Sequence, residues 1–413
     1  VGAVGALAGV VLVASLLGRV FLVNAQTGAL TSTPIGQLGI TPPASPVRHN
    51  EPQDLRDLNQ AIDTYISKMS LDDELGQMMQ VQFVGPGEST MTSIPSYWLS
   101  ELQKVHVGSA ILYWYNIKGV QQVKALTASL QSKSFAPNIP MMITTDEEGG
   151  DIMNYVGCLY GNCGPTESSL GASNDPKKAY NWGKQAGQDL KSLGFNADLA
   201  PVVDVQTVPN TYEGDRIYSS SPTVVSNMAA AFIDGLHSVG IPNTLKHWPG
   251  YGWASANAHD VLPVSNRSLA DFERIDFAPY KALIASGRVD MIMPTHMLLT
   301  QIDPKMPTSL SPKIIDGILR QQLGFQGVVI TDAIYMGALG RYSMAERAVL
   351  AVIAGDDIIS NFYDPNDLEA AMAALHQAIK SGQITRARID QSVKRILTLK
   401  VKYGIWTPPG YNG

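Results

Sequence analysis

Five times along this 413-residue chain an ionisable side chain directly follows a short apolar run. Asp146 follows MMITT, Asp204 follows LAPVV, Lys246 and His247 follow PNTL, His296 follows MIMPT, and Asp332 follows GVVIT. Carboxylates gathered with a proton donor suit glycoside cleavage, in which one group attacks or stabilises an oxocarbenium-like carbon and another protonates the leaving oxygen. The segment KHWPGYGWASANAHD, residues 246–260, brings Trp248, Tyr251 and Trp253 to the same region. Aromatic rings of this kind offer flat faces to sugars. Pro249, Gly250 and Gly252 keep the segment from continuing as a helix, so it reads as a functional loop. No G-x-G-x-x-G, Walker, H-E-x-x-H or G-x-S-x-G pattern occurs, which leaves nucleotide, zinc-protease and serine-hydrolase readings without support.

The elements that must hold these residues repeat. β-rich apolar runs are expected at 77–84, 109–113, 141–145, 197–203, 243–246, 289–294, 328–331 and 357–360. Segments of helical spacing lie between most of them, at 120–131, 177–193, 224–239, 270–285, 312–323, 344–353 and 368–379. Alternating strand and helix predicts parallel strands, because a parallel neighbour requires a crossover. Eight such units fit a (β/α)8 TIM-type barrel, whose catalytic side chains come from several strand ends at one mouth. A doubly wound open sheet is the alternative. Only 16% of residues are charged and 45% are hydrophobic, which excludes a disordered chain. A net charge of −6 without clustered Lys or Arg argues against nucleic acid as a partner.

The N-terminus is set apart. Residues 1–17 read VGAVGALAGVVLVASLL and continue after Gly18 and Arg19 as VFLV, predicting a hydrophobic helix over 1–25 that acts as a signal anchor or a signal peptide cleaved after Ala25. Membrane contact is expected through this span only, and the remainder is expected to be extracytoplasmic. Residues 26–57, with Pro34, Pro42, Pro43, Pro46 and Pro52, read as a linker without a packed face. A single catalytic domain is then expected over 58–405, followed by a tail at 406–413. Cys158 and Cys163, in CLYGNCG, favour a small loop-closing disulfide, with free thiols as the alternative. No metal-spaced partners accompany them, and neither a metal nor another cofactor is implied.

Taken together, KHWPGYG followed by His259, GVVITDAIYMGAL, TTDEEGG and GDRIYSSSP resemble family 3 glycoside hydrolases of the β-N-acetylglucosaminidase type. The resemblance extends over about residues 58–405 and includes LSPKIIDGILRQQLGFQG and AGDD. It implies a TIM-type barrel that removes terminal β-linked N-acetylglucosamine with retention, through a glycosyl-enzyme intermediate. In that scheme Asp332 is the nucleophile and His259, on a loop after the fifth strand, is the acid/base. Asp146, Arg216, Lys246 and His247 match the residues that bind sugar hydroxyls, and Lys246 is expected to keep Asp332 ionised. His296 resembles a strand-six family position, with core packing as the competing role.

Three departures stand beside the match. Relatives carry Asp-Ser-His or Asp-Thr-His where this chain has Asn257, Ala258 and His259, so an amide replaces the carboxylate that orients the imidazole; Asp260 is the alternative support. Asp151 and Asn154 stand where relatives have arginines after the Asp-x-Glu-Gly-Gly segment, and Asn154 is counted among the expected sugar-binding residues. Tyr251 replaces a common His. The expectation is an exo-acting glycosidase with a weakened acid/base. The alternatives are a lapsed glycan-binding protein and a family 3 hydrolase preferring another hexose.

Overall fold

The computed structural model describes residues 53–411 apart from 86, 88, 133–138, 152 and 210, together with three segments nearer the N-terminus. The chain divides into compact units at 1–57 and 58–413. In the first, Val10–Leu16, Arg19–Asn24 and Leu30–Pro34 form an antiparallel three-stranded sheet, with Leu16 opposite Arg19 and Val23 opposite Leu30. Where the chain is described, the expected hydrophobic helix is thus corrected to strands, and part of the expected linker is a strand as well. The physical reason is that Val-rich apolar runs of this length suit a pleated strand as well as a helix, and periodicity cannot separate the two. Residues 53–57, expected in the linker, open the helix Gln53–Ile66 instead. Residues 1–9, 17–18, 25–29 and 35–52, the rest of the expected span and linker, lie outside the described residues. No described helix is long and apolar enough to cross a membrane.

The second unit alternates strand and helix. Its strands are β1 Met79–Gln82, β2 Ser109–Ile111, β3 Met142–Thr145, β4 Ala197–Asp198, β5 Thr244–Trp248, β6 Met291–Pro294, β7 Val328–Val329 and β8 Ile359–Phe362. The principal helices that follow them are α1 Ser96–Val105, α2 Val120–Ser132, α3 Pro176–Ser192, α4 Pro222–His237, α5 Phe277–Ala285, α6 Lys313–Gln322, which is wound as a π-helix, α7 Met344–Ala354 and α8 Pro365–Lys380. Asp-Pro and Ser-Pro pairs start three of these helices, because Pro at the first helical position gives up no internal hydrogen bond. Ser343 and Glu346 close a capping box at α7.

All neighbouring strands of this unit's main sheets run parallel. One sheet has the order β8-β1-β2-β3-β4, with Phe362 opposite Val81 and Ile111 opposite Thr144; the other has β5-β6-β7, with Leu245 opposite Ile292. Single parallel bridges, Val202 with Lys246 and Ile330 with Ile358, join their edges. The strands are buried on both faces, as parallel sheets covered by helices must be. Helices α3 and α4 pack closely because Gly183 faces the chain at Phe232, where an added Cβ would lie 2.1 Å from its carbonyl oxygen. The helix expected over 270–285 is two, Leu269–Arg274 and α5, separated where the buried Asp276 carboxylate takes the Arg267 guanidinium at 2.5 Å.

Candidate active site

Asp146, directly after β3, and Lys246, in β5, meet at 2.5 Å. The same ammonium lies 2.6 Å from Glu148. Glu148 also receives both arms of Arg216, at 2.7 and 2.9 Å, and Arg216 turns its remaining nitrogen to Glu213. Burial would raise the Glu148 carboxyl, but Arg216 and Lys246 outweigh it and bring it to about 2. Desolvation would lower Lys246 and Arg216, yet the surrounding carboxylates hold both above their ordinary values, so both cations stay charged. The structure thus brings Asp146, Arg216 and Lys246 together around Glu148. Glu148 and Glu213 were missed, although Glu148 stands within TTDEEGG and the surplus of buried positive charge called for more carboxylate.

His247 is fixed by Asp204, which follows β4. Its Nδ1–H donates to Asp204 Oδ2 at 2.8 Å, and Asp204 Oδ1 takes the backbone N–H of Tyr251 at 2.6 Å. Burial lowers the imidazole pKa, while Glu213 and Asp204 more than reverse the effect. Asp204 thus works beneath the site, shaping the turn after β5.

Asp332, just beyond β7, is held at both oxygens. The Thr295 hydroxyl donates to Oδ2 at 2.6 Å and the Ala333 N–H to Oδ1 at 2.7 Å. Burial pushes this carboxyl up; His247 first, then His296, the Thr295 hydroxyl and His259 bring it below the usual carboxylate range. The expectation that Lys246 performs this task is corrected: Lys246 is engaged by Asp146 and Glu148. His296 is fully buried, with Nδ1 at 2.7 Å from the Ser309 hydroxyl and Nε2 at 3.0 Å from the Ala333 carbonyl. Burial lowers its pKa against the pull of Asp332, and its contact with the Ala333 carbonyl sets it under the peptide that binds Asp332.

His259 lies on the loop after β5. Its Nδ1 is 3.1 Å from Asn257 Oδ1, which also accepts the His259 backbone N–H at 3.0 Å. The amide Nδ2 of Asn257 donates to Asp260 Oδ2 at 2.9 Å. The loop is pinned from two sides. Tyr251 Oη donates to the Ala256 carbonyl at 2.5 Å and accepts the Ala258 N–H at 3.0 Å. The N–H groups of Gly337 and Ala338, shortly after Asp332, donate to the carbonyls of His259 and Ala258 at 2.8 and 3.0 Å.

Asp146, Arg216, Lys246, His247, Asn257, His259 and Asp332 all line one cavity of about 230 Å³. Its aromatic faces are Tyr113, Trp114, Tyr115, Tyr155, Tyr212, Tyr251 and Tyr335. Two expected platforms are absent from the lining: Trp248 is fully buried against Phe277 and Tyr280, and Trp253 donates to the Gly250 carbonyl at 2.9 Å. The tyrosines gave no periodic signal because they come from separate strand ends. Asn154 is also corrected. It is buried with its amide turned to the Cys163 carbonyl, while its neighbours Met153 and Tyr155 reach the cavity. Cys158 and Cys163 are disulfide-bonded in that loop. Among the described residues, Asp204, Glu213 and His247 offer the one cluster close enough for a metal ion, within 4.8 Å of one another, but His247 occupies Asp204 and Arg216 occupies Glu213.

An ionised carboxylate, an exposed imidazole, a charged lattice able to bind hydroxyls and several aromatic faces thus share one cavity. Such a set can attack an electrophilic carbon and exchange a proton with a leaving oxygen. Residues 70–399 match the glycosyl hydrolase family 3 N-terminal domain. The chain is similar to beta-hexosaminidase A of Pseudoalteromonas piscicida, 29% identical over 347 residues, covering 77% of this chain and 57% of that protein. It is 34% identical over 273 residues to a secreted glycosyl hydrolase of Arthroderma benhamiae, covering 63% of this chain and 74% of the relative. A family 3 beta-N-acetylglucosaminidase structure from Paenibacillus superposes with a TM-score of 0.75 at 32% identity, covering 82% of this chain and 63% of that one. The chain therefore spans less than two thirds of the length of two of these three relatives.

Proposed function

Because the chain belongs to glycosyl hydrolase family 3, we propose that it is an exo-acting, retaining glycosidase that removes terminal β-linked N-acetylglucosamine. The observation that carries this reading is the pairing in one cavity of Asp332, held ionised by the nearby His247 and by its hydrogen bonds, with His259, anchored through Nδ1. Asp332 attacks the anomeric carbon while His259 protonates the leaving oxygen; His259 then takes a proton from the water that releases the sugar. Asp146, Arg216, Lys246 and His247 bind the sugar hydroxyls. We read the two parallel sheets and their joining bridges as a (β/α)8 barrel with these groups at the carboxyl ends of its strands. An extracytoplasmic setting is supported by the disulfide and by the secreted Arthroderma relative.

Aryl glycosides differing only at the 2-substituent test the sugar assignment, with the acetamido sugar expected to turn over best. A 5-fluoro N-acetylglucosaminyl fluoride should leave an adduct on Asp332, located by mass spectrometry. Asn257, in place of a carboxylate, favours a second reading, a lapsed glycan-binding protein. Absence of both turnover and adduct selects that reading.

A further inference from the structure

We propose that Asp260 is a positioning residue for the proton transfer: acting through Asn257, it holds His259 with its proton on Nδ1 and leaves Nε2 to serve the leaving oxygen. This rests on the reading of His259 as acid/base. A primary amide has two unlike ends, an oxygen that only accepts and a nitrogen that only donates. A carboxylate accepts only, so Asp260 Oδ2 at 2.9 Å selects the nitrogen end of Asn257. The oxygen end must then face His259, where it takes the backbone N–H at 3.0 Å and Nδ1 at 3.1 Å. Turning the amide over would set its NH2 against a backbone donor and its oxygen against a carboxylate. Its orientation is therefore fixed from both sides, and with it the protonated ring nitrogen.

The arrangement restores at one remove what the sequence lacks at position 257. A carboxylate touching the imidazole would stabilise its cation directly; Asp260 polarises the intervening amide and makes Oδ1 a better acceptor. The charges of Asp332 and His296 are felt across the cavity, and Tyr335 lies edge-on to the ring with centroids 6.3 Å apart. At Nδ1 the hydrogen-bond partner is Asn257 Oδ1. In the first step the Asp332 carboxylate forms a bond to the anomeric carbon, the glycosidic electron pair leaves with the oxygen, and that oxygen takes the proton from Nε2. In the second step water attacks the same carbon, Asp332 departs as carboxylate, and the proton returns to Nε2.

The test measures kcat/KM, which reports the first step, for N,N'-diacetylchitobiose and for a dinitrophenyl N-acetylglucosaminide whose leaving group needs no proton. Asp260→Ala is expected to lose about ten- to a hundredfold on the disaccharide and less than about threefold on the aryl substrate. The double variant Asn257→Asp/Asp260→Ala, in which a carboxylate meets the imidazole directly, should recover the disaccharide rate. No loss in Asp260→Ala, or an equal loss on both substrates without recovery in the double variant, overturns the proposal. Failure of the parent reading is recognised separately, as wild-type protein that hydrolyses neither substrate and carries no adduct on Asp332.

Discussion

The surroundings of Asp332 and His259 differ in the way their proposed duties require. Both Asp332 oxygens accept a hydrogen bond, and neighbouring imidazoles oppose the cost of burial, so the carboxyl is held below its ordinary value and stays ionised as the medium becomes acid. Its protonation, and with it the acid limb of kcat/KM, is expected at a lower pH than for an ordinary carboxylate. Removing the hydroxyl in Thr295→Val should move that limb up by about one to two pH units, since a hydrogen bond to a charged group is worth about 1.5 to 3 kcal/mol; an unmoved profile on an activated aryl glycoside would remove Thr295 from this role. His259 is supported by an amide instead. Asn257→Asp alone should raise kcat/KM on the disaccharide by about tenfold and hardly change it on the aryl substrate. These roles divide sharply in legibility. Strand-end carboxylates and the His-bearing loop were visible because each followed an apolar run. Glu148, Glu213 and Thr295 were not, since nothing in their spacing says that distant cations and a nucleophile converge on them.

At the scale of elements, the segment after β7 carries Asp332, the proposed nucleophile, and also the dock for the loop of His259, the proposed acid/base. Gly337 makes the fit possible: an added Cβ would stand 2.6 Å from the His259 carbonyl oxygen and 2.8 Å from that of Asp260. Gly337→Ala, although outside the cavity lining, should therefore lower kcat/KM on the disaccharide by about ten- to a hundredfold through displacement of His259, read against unchanged circular dichroism. A second loop, after β3, brings Met153 and Tyr155 to the cavity beside the Cys158 to Cys163 bond. Replacing both cysteines by Ser should cost about 2 kcal/mol in urea unfolding, from loop-closure entropy, and raise KM because those two side chains lose their tether. The alternation of strands and helices was readable because each parallel strand is a short apolar run buried on both faces. Exact strand ends were not, since apolar runs continue past them: Val203 and Thr331 lie beyond the ends of β4 and β7, although their N–H groups still donate to the carbonyls of Lys246 and Ile358.

Across the second unit, the helix Arg386–Lys402 reaches the amino ends of β1, β2 and β3, away from the strand ends that carry the cavity. Its Lys400 is buried, with Nζ donating to Gln77 Oε1 at 2.7 Å and to the carbonyls of Gly108 and Pro140 at 3.0 and 2.9 Å, and burial lowers its pKa to about 7. In the unfolded chain this amine titrates near about 10.4. Between those values the unfolded state binds the extra proton, so stability should rise with pH above about 7, by at most about 1.4 kcal/mol per pH unit. Urea unfolding of wild type and Lys400→Met at about pH 7 and about pH 9 checks this; the rise should vanish in the variant. The N-terminal unit shows the limit of reading composition, because its Val-rich runs had two consistent solutions and the described residues adopt the pleated one. The two parallel sheets also divide the labour. Asp146, Glu148, Arg216 and most of the tyrosines stand on or after strands of the five-stranded sheet, whereas Lys246, His247, His259, Thr295 and Asp332 belong to the three-stranded one. On the proposed assignment the three-stranded sheet holds the reacting pair and the loops after β2 and β3 hold the glycan, so a chimera carrying a relative's residues in those loops should change its diet without relearning its chemistry.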